Sequence, residues 1–281
     1  MGGRAARMAR SGDKTAQRIV QADNGHNQTV EIVRAELIRR GIHFSEGSIA
    51  SLNSTLRKKI SAADLTITIG GDGTALGASH FIREGAMLSV NSAPGDSVGH
   101  FCSLDAQNFP ARLDDILKGR WKPSELARIE VALDFKVLPE LALNDLLIAH
   151  ESPGSTTRYL ISVRNHEEEH RSSGIWISTA AGSTAAIRSA GGTVMSLKSR
   201  RLQFLVRELY RAPGNSYRLA KGMASPDSEI IIASKMTEGR IFIDGSKTCY
   251  EFPFGVRANI RAADHNLRIF LSKQHLEQRS T

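Results

Sequence analysis

A strand-like run that ends in a glycine-rich turn constrains the fold of this chain most strongly. Residues 65–69 are β-branched or apolar, and the turn that follows reads Gly70-Gly71-Asp72-Gly73-Thr74. Residues 75–83 have helical composition, so we expect the turn at a helix N-terminus, where backbone N–H groups and the helix dipole attract phosphate. A plain strand-to-helix turn capped by Asp72 is the alternative, because an isolated glycine motif is a weak signal.

Composition limits the class of protein. The 281 residues suffice for one large or two ordinary domains, and the net charge of +8 favours anionic partners. Aromatic and basic residues do not interleave, and no apolar run approaches the roughly 18 residues of a transmembrane helix, so we expect neither a nucleic-acid nor a membrane partner. Cys102 and Cys249 predict no disulfide framework or metal site, but small core residues in a reducing, cytoplasmic compartment.

The order of patterns predicts an α/β domain over residues 26–125. Residues 1–25 are basic and are expected to form a flexible tail; an organellar presequence, also Arg-rich, is the alternative. Helical spacing covers residues 29–40 and closes at Gly41, and a second helix is expected at 52–60. A strand is expected at 87–90, after the glycine-rich turn.

A β-rich domain is expected over residues 126–263. Short β-type runs separated by turn residues lie at 128–137, 143–149, 159–165, 174–179, 229–233, 239–243 and 267–271. Asp244-Gly245 predicts a β-hairpin, and its simplest interpretation is a type I′ turn with no other role. Residues 167–170, Glu-Glu-Glu-His, are expected to form a solvated loop.

A second stretch of small residues follows the predicted strand 174–179. Gly182-Ser183-Thr184-Ala185 leads into Ser189-Ala190-Gly191-Gly192, and Ser183 or Thr184 would cap a short helix that Gly191 closes. Small side chains leave room for a planar ligand, and the hydroxyls supply hydrogen-bond donors and acceptors. Close helix packing without a ligand explains the same residues.

Together the two stretches and Asn144-Asp145 resemble the NAD kinase family, over most of the chain after about residue 60. The plant-type NADH kinase branch is resembled further at Val90-Asn91-Ser92, Gly99-His100-Phe101-Cys102, Arg171-Ser172-Ser173-Gly174 and residues 202–208. The resemblance implies an NAD kinase or diacylglycerol kinase-like α/β domain and a β-rich dinucleotide-binding domain, with the dinucleotide in the crevice between them. It also implies that residues 264–281 pack back on the first domain.

The resemblance implies ATP-dependent phosphorylation of the adenosine-ribose 2′-hydroxyl of NAD or NADH. Asp72 would accept or orient the hydroxyl proton, and a divalent cation, Mg²⁺ or another, would accompany ATP while needing few protein ligands. Backbone N–H groups for the phosphates would come from Gly70, Gly71, Gly73 and Thr74. The dinucleotide would be bound by Asn144, Asp145, Arg171, Ser173, Thr184, Ala185, Ser189 and His100. A homodimer or higher homo-oligomer is expected.

Three positions depart from the family pattern. Asp145 stands where most members have Glu, Ser173 where many have Asp, and Ala186 where many have Tyr. Fewer acids near the nicotinamide favour the uncharged ring of NADH. The alternatives are a lipid kinase of the diacylglycerol or sphingosine type, which shares the first motif, a non-catalytic NADP(H)-binding module, and a basic nucleic-acid-binding protein.

Overall fold

The computed structural model describes residues 3–95, 99–211, 213–272, 275 and 276. The chain divides into two compact units. The first comprises Met1–Ala78, Glu84–Ser124 and Arg268–His275, and the second comprises Ser79–Arg83, Glu125–Leu267 and Leu276–Thr281. In the described ranges, no helix has both the length and the apolar composition needed to cross a bilayer.

Helices occupy the N-terminal segment for which the sequence predicts a flexible tail: α1 is Gly3–Arg10 and α2 is Lys14–Arg39. The side chain of Asp13 accepts a hydrogen bond from the N–H of Ala16 and starts α2. The helix therefore begins well before residue 29, since a local cap rather than an apolar stripe sets its start. It ends as predicted before Gly41, whose φ is +64°.

A parallel sheet forms the centre of the first unit. A 3₁₀ turn at Ile49–Ser51 is followed by α3 (Ser54–Ala62), β1 (Leu65–Gly70), α4 (Asp72–Ser79), β2 (Ala86–Asn91), β3 (Leu104–Asp105) and α5 (Phe109–Leu117). Strands β1 and β3 pair in parallel with β2, which is buried along its whole length, as expected of a central strand covered on both faces. Because Gly70 pairs with Asn91 at the ends of their strands, the glycine-rich turn lies at the carboxyl edge of the sheet.

Helix α4 begins and ends earlier than the predicted range 75–83. The carbonyl oxygen of Gly71 accepts the N–H groups of both Thr74 and Ala75, so the helix starts inside the glycine-rich motif. After its end, Nη1 of the buried Arg128 donates to the carbonyl oxygens of Ser79 and Ile82 at 2.9 and 2.8 Å. This guanidinium satisfies acceptors that a longer helix would have used.

The second unit is β-rich, as predicted. Its strands, with the strand that leads into it, are β4 (Ser124–Leu126), β5 (Ile129–Leu133), β6 (Lys136–Val137), β7 (Asp145–His150), β8 (Thr157–Val163), β9 (His166–Ser172), β10 (Gly174–Ser178), β11 (Leu202–Arg207), β12 (Lys221–Ala224), β13 (Ile230–Ser234), β14 (Gly239–Ile243), β15 (Thr248–Glu251) and β16 (Arg257–Ala262). Between β10 and β11 lie a 3₁₀ turn at Gly182–Thr184 and α6 (Ala186–Ser189).

Two antiparallel sheets of the second unit share one core. Their strand orders are β12-β11-β10-β7-β14-β15 and β6-β5-β16-β13-β8-β9. Ile148 and Ile241 from the first sheet join Ile161 and Ile260 from the second in a single apolar cluster. The two sheets therefore pack face to face.

The prediction of a solvated loop at residues 167–170 is wrong. These residues lie in β9, which pairs with β8 over its whole length. His170 is fully buried, whereas Glu167 and Glu169 are exposed, so the side chains alternate as a half-buried strand requires. A run of three acids hides this pattern from sequence analysis.

The last strand returns to the first unit. Strand β17 (Leu267–Ile269) pairs in parallel with β2, with Arg268 opposite Ala86 and Ile269 opposite Met87.

The two free cysteines differ: Cys102 is buried, as predicted, but Cys249 is exposed, which contradicts its expected place in the core.

The Asp-Gly pair forms the predicted hairpin between β14 and β15. Asp244 and Gly245 both have positive φ values, 49° and 106°. Ile243 pairs with Thr248, so four residues connect the strands, and the positive φ of both Asp244 and Gly245 is what a type I′ turn requires at its central residues. The side chain of Asp244 also has contacts beyond the turn, described below.

Candidate active site

The glycine-rich turn of the first unit places a carboxylate at the start of a helix. Gly70 has φ +148°, and a Cβ there would lie 2.5 Å from Oγ1 of Thr74. A side chain is therefore excluded by both conformation and space. Asp72 is the first residue of α4, where the first N–H groups of the helix have no intrahelical acceptor.

Both oxygens of Asp72 are held by the backbone of another loop of the same unit. Oδ2 accepts a hydrogen bond from the N–H of His100 at 2.9 Å, and Oδ1 accepts one from Phe101 at 2.8 Å. The carboxylate is half-buried, and these two bonds fix its direction. His100, predicted to line the dinucleotide site, binds Asp72 through its backbone N–H, and its side chain is exposed.

Cys102 supports the same turn. Its Sγ donates to the carbonyl oxygen of Gly70 at 3.6 Å. Burial, and secondly the negative charge of Asp72, raise the pKa of the Cys102 thiol to about 12. The thiol therefore stays protonated and acts as a hydrogen-bond donor rather than as a nucleophile.

The predicted phosphate contacts of the turn differ among its residues. The N–H of Thr74 donates to the carbonyl oxygen of Gly71 at 3.0 Å, so this N–H already has a partner within the turn. Gly73 is exposed, and a Cβ built there meets nothing within 4 Å. The open side of the turn therefore lies at Gly73, where an anion has room to approach.

Asn144 and Asp145 form a second cluster, in the second unit. The Oδ1 atom of Asn144 is buried and has no hydrogen-bond partner among the described residues. Asp145 is 7% exposed, and burial, followed by the charge of Asp244, raises the pKa of its carboxyl to about 7. The pair thus offers an unsatisfied acceptor beside a carboxyl group that titrates near neutrality.

The loop after β10 packs directly on this pair. A Cβ at Gly182 would lie 2.1 Å from the carbonyl oxygen of Asn144, so only glycine allows the approach. Oγ1 of Thr179 donates to the carbonyl oxygen of Leu143 at 2.5 Å and accepts the N–H of Gly182 at 3.1 Å. The structure therefore brings the second predicted motif against Asn144-Asp145.

The hydroxyls of this loop have separate roles. Ser183 is buried, and its Oγ donates to Ala180 and accepts from Met195 at 2.7 and 2.9 Å, so it is structural. Thr184 is half-buried and leaves its hydroxyl as the candidate for ligand contact. Ala185, not Ser183 or Thr184, is the N-cap of α6, so the predicted hydroxyl cap is wrong.

Ser189 lies at the end of α6, whereas Arg171 lies in β9 and Ser173 directly precedes β10. Ser189 is the exposed last residue of α6. Strand β10 pairs with β7 through Ser178 opposite Asp145, whereas Arg171 and Ser173 precede the other end of β10. At a rise of about 3.3 Å per residue, Ser173 lies roughly 16 Å from Ser178 along the strand. Within one chain, Arg171 and Ser173 are therefore not brought to Asn144-Asp145.

Sequence analysis missed a basic cavity in the second unit. Its volume is about 710 Å³. The residues that line it are Ala190, Gly191, Leu205, Val206, Leu209, Arg211, Tyr217, Arg218, Ala220 and Lys221. Three of them are cationic, and they come from a stretch without a motif, so no sequence signal linked them to one another.

The fold and these clusters define the class of protein. A carboxylate fixed at the start of a helix in a glycine-rich turn, followed by a unit in which a buried acceptor of Asn144 has no partner among the described residues, is typical of a phosphotransferase that uses nucleotides.

Comparisons with known proteins give the family. Residues 8–121 match the ATP-NAD kinase N-terminal domain. The chain is 34% identical over 277 residues to the protein named Probable NADH kinase of Oryza sativa subsp. japonica, covering 91% of this chain and 84% of that one. It is 35% identical over 270 residues to the NADH kinase of Arabidopsis thaliana, covering 88% and 84%. The chain therefore belongs to the NAD kinase family.

A solved structure shows the same fold. The NAD kinase from Archaeoglobus fulgidus, crystallised in complex with ATP, matches with a TM-score of 0.70 at 19% identity, over 89% of this chain and 92% of that one. The predicted α/β domain followed by a β-rich domain is confirmed.

Proposed function

We propose that this protein transfers the γ-phosphoryl group of ATP to the adenosine-ribose 2′-hydroxyl of NAD or NADH. The observation that carries the proposal is Asp72, whose two oxygens are held by the N–H groups of His100 and Phe101. Membership of the NAD kinase family and the plant NADH kinase relatives support the substrates.

Asp72 accepts the proton of the attacking hydroxyl or orients it. A carboxylate that is fixed before substrate arrives needs no reorganisation during the reaction. General base assistance of this kind contributes about 10² to 10⁴ in rate. The remaining barrier is lowered by alignment and by neutralising charge on the phosphoryl group, which the open backbone near Gly73 favours.

Asn144 and Asp145 hold the dinucleotide. The unsatisfied Oδ1 of Asn144 can accept one ribose hydroxyl, which removes the cost of leaving a buried acceptor without a partner. Asp145, when ionised, accepts further hydroxyls. Thr184 and Ala185, next to Gly182, would border the base of the nucleotide.

A divalent cation, Mg²⁺ or another, would be held mainly by ATP. Across the described ranges, no group of three or more His, Cys, Asp or Glu side chains is placed to hold a metal ion. Such a sparse donor set suits an ion bound by nucleotide phosphates and water, with few protein ligands. When bound, the ion neutralises charge on the phosphates.

Arg171 and Ser173 support a homo-oligomer. They lie at the end of β10 far from Asp145, so they would reach a dinucleotide site by belonging to a second copy of the chain. Ser173 is half-buried, and it lacks the charge that would attract the cationic ring of NAD. We therefore propose an oligomer that prefers NADH. A monomer in sedimentation velocity would remove this role of Arg171 and Ser173.

The direct test is an assay of purified protein with magnesium-ATP and either NAD or NADH. Formation of NADP or NADPH is the expected result. Tight binding of NADP(H) without turnover would instead identify a non-catalytic binding module, and phosphorylation of diacylglycerol would identify a lipid kinase.

A further inference from the structure

Asp244 is a buried carboxylate that the reaction itself does not use. Its side chain is 0% exposed, although it stands on a hairpin turn with φ +49°. A carboxylate in such a place is costly unless every oxygen is hydrogen-bonded. Its partners therefore show why the side chain is buried there.

Three of the partners are successive backbone N–H groups. Oδ1 accepts from Asn144 at 2.8 Å and from Asp145 at 2.9 Å, and Oδ2 accepts from Leu143 at 2.7 Å. Successive N–H groups in an extended strand point in opposite directions. Their convergence on one carboxylate therefore means that Asp244 sets the bend in the chain just where β7 begins at Asp145.

The fourth partner is a histidine. Nε2 of His80 lies 2.9 Å from Oδ2 of Asp244, and the side chain of His80 is 5% exposed. A carboxylate oxygen accepts, so Nε2 carries the hydrogen. The N–H of Asp244 in turn donates to the carbonyl oxygen of Asp145 at 3.0 Å, which closes a ring of contacts around Asn144-Asp145.

We propose that Asp244 and His80 are positioning residues for the dinucleotide site: Asp244 fixes the backbone of Asn144 and Asp145, and His80 fixes Asp244. The inference rests on the proposed function, because it takes Asn144 and Asp145 to contact the dinucleotide. Neither Asp244 nor His80 touches substrate, so their loss acts through dinucleotide binding.

The pH dependence of dinucleotide affinity is a second measurement that tests the proposal. The charge of Asp244 is one cause, after burial, of the raised pKa of Asp145, and the imidazole of His80 faces Asp244. Asp244→Asn removes that charge and lowers the pKa of Asp145. The pH at which dinucleotide affinity rises should therefore move to lower pH in this variant.

The test compares Asp244→Asn, His80→Ala and His80→Gln with the unchanged protein. In Asp244→Asn the amide nitrogen cannot accept, so either the donors of Leu143 and His80 or those of Asn144 and Asp145 lose their acceptor. We expect Asp244→Asn and His80→Ala to raise the KM for the dinucleotide about tenfold or more, because buried donors or acceptors lose their partners. The KM for ATP and kcat should change less than about threefold. Gln retains a donor and should restore most of the affinity in His80→Gln.

Asp134→Asn is the matched control. Asp134 also has a positive φ, 44°, on a turn of the second unit and accepts the N–H of Arg257 at 2.9 Å, but it is exposed. Its variant should leave every kinetic constant unchanged. If Asp244→Asn does not fold, the two His80 variants still test the positioning role.

Three results would overturn the inference. They are an unchanged dinucleotide KM in folded His80→Ala and Asp244→Asn, a fall in apparent kcat that matches the lost fraction of folded protein without a rise in the dinucleotide KM, and an equal rise of that KM in His80→Gln and His80→Ala. Failure of the proposed function is separate, since it would show as no turnover by the unchanged protein. Calorimetric binding of NADH to the same variants would then decide the positioning role.

Discussion

The backbone of Asn144 lies so close to Gly182 that a Cβ at residue 182 would stand 2.1 Å from the Asn144 carbonyl oxygen. Both partners of this contact are main chain, so no side-chain rotation can relieve a clash. The contact joins the small-residue loop to the pair that we assign to the dinucleotide.

Gly182→Ala should therefore destabilise the protein by about 2 kcal/mol or more, since the backbone must move to admit the methyl group. Urea unfolding measures the change in the free energy of unfolding. Gly154→Ala is the control, because a Cβ at this exposed glycine meets nothing within 4 Å. Equal stability of the two variants would show that the loop does not pack on Asn144 in solution.

Asp145 should make stability depend on pH. Its carboxyl pKa is raised in the folded chain from 3.8 to about 7, so the neutral form is favoured there. The stabilising contribution is present below about pH 4 and is lost as pH rises towards 7, at a cost on the order of 2–4 kcal/mol. Asp145→Asn should thus gain stability over the unchanged protein between pH 5 and pH 8. If the unfolding free energies of Asp145→Asn and the unchanged protein changed in parallel across that pH range, the raised pKa of Asp145 would be contradicted.

Ser173 should influence the choice between NAD and NADH. Ser173→Asp restores a negative charge near the proposed nicotinamide end and should shift the ratio of kcat/KM values towards NAD by about fivefold, as expected of a partly exposed charge pair. Ser173→Asn has the same shape without the charge and should leave the ratio unchanged. If the ratio of kcat/KM values for NAD and NADH were the same in both variants, Ser173 would lie away from the nicotinamide ring.

The two cysteines should differ in reactivity. Cys249 is exposed, although partial burial raises its pKa, whereas burial raises the pKa of Cys102 to about 12, and the thiolate is the reactive form. A thiol reagent at pH 8 should label Cys249 in the native protein and Cys102 only after unfolding. Rapid labelling of native Cys249→Ser would show that Cys102 is accessible.

Local patterns predicted the parts of the fold that depend on neighbouring residues. The β-branched run before Gly70, the positive φ of Gly41 and the Asp244-Gly245 hairpin each follow from a few adjacent residues. The glycine-rich turn was also found this way. What the sequence could not show is that the N–H groups of His100 and Phe101 hold its carboxylate, because residues so far apart in sequence meet only in the folded sheet.

The parts of the site that the sequence did not predict depend on contacts between residues far apart in the chain. Asp244 contacts Leu143, Asn144 and Asp145, which lie about a hundred positions earlier, so a hairpin was its only visible role. Ser183 and Thr184 carry the same chemical group, and only packing shows that Ser183 is buried while Thr184 is half-buried.

Asp72→Asn tests the central claim most directly. Asn keeps the shape of the side chain but cannot take a proton, and only one of its terminal atoms can accept from His100 or Phe101. Asp64→Asn is the matched control, an exposed acid just before β1 in the same unit. The measurement is kcat for NADH phosphorylation with magnesium-ATP, alongside the Kd for NADH. Asp72→Asn should lower kcat by about 100-fold or more while the Kd for NADH stays close to that of the unchanged protein. A kcat within about threefold of the unchanged protein would contradict the role of Asp72 as the base.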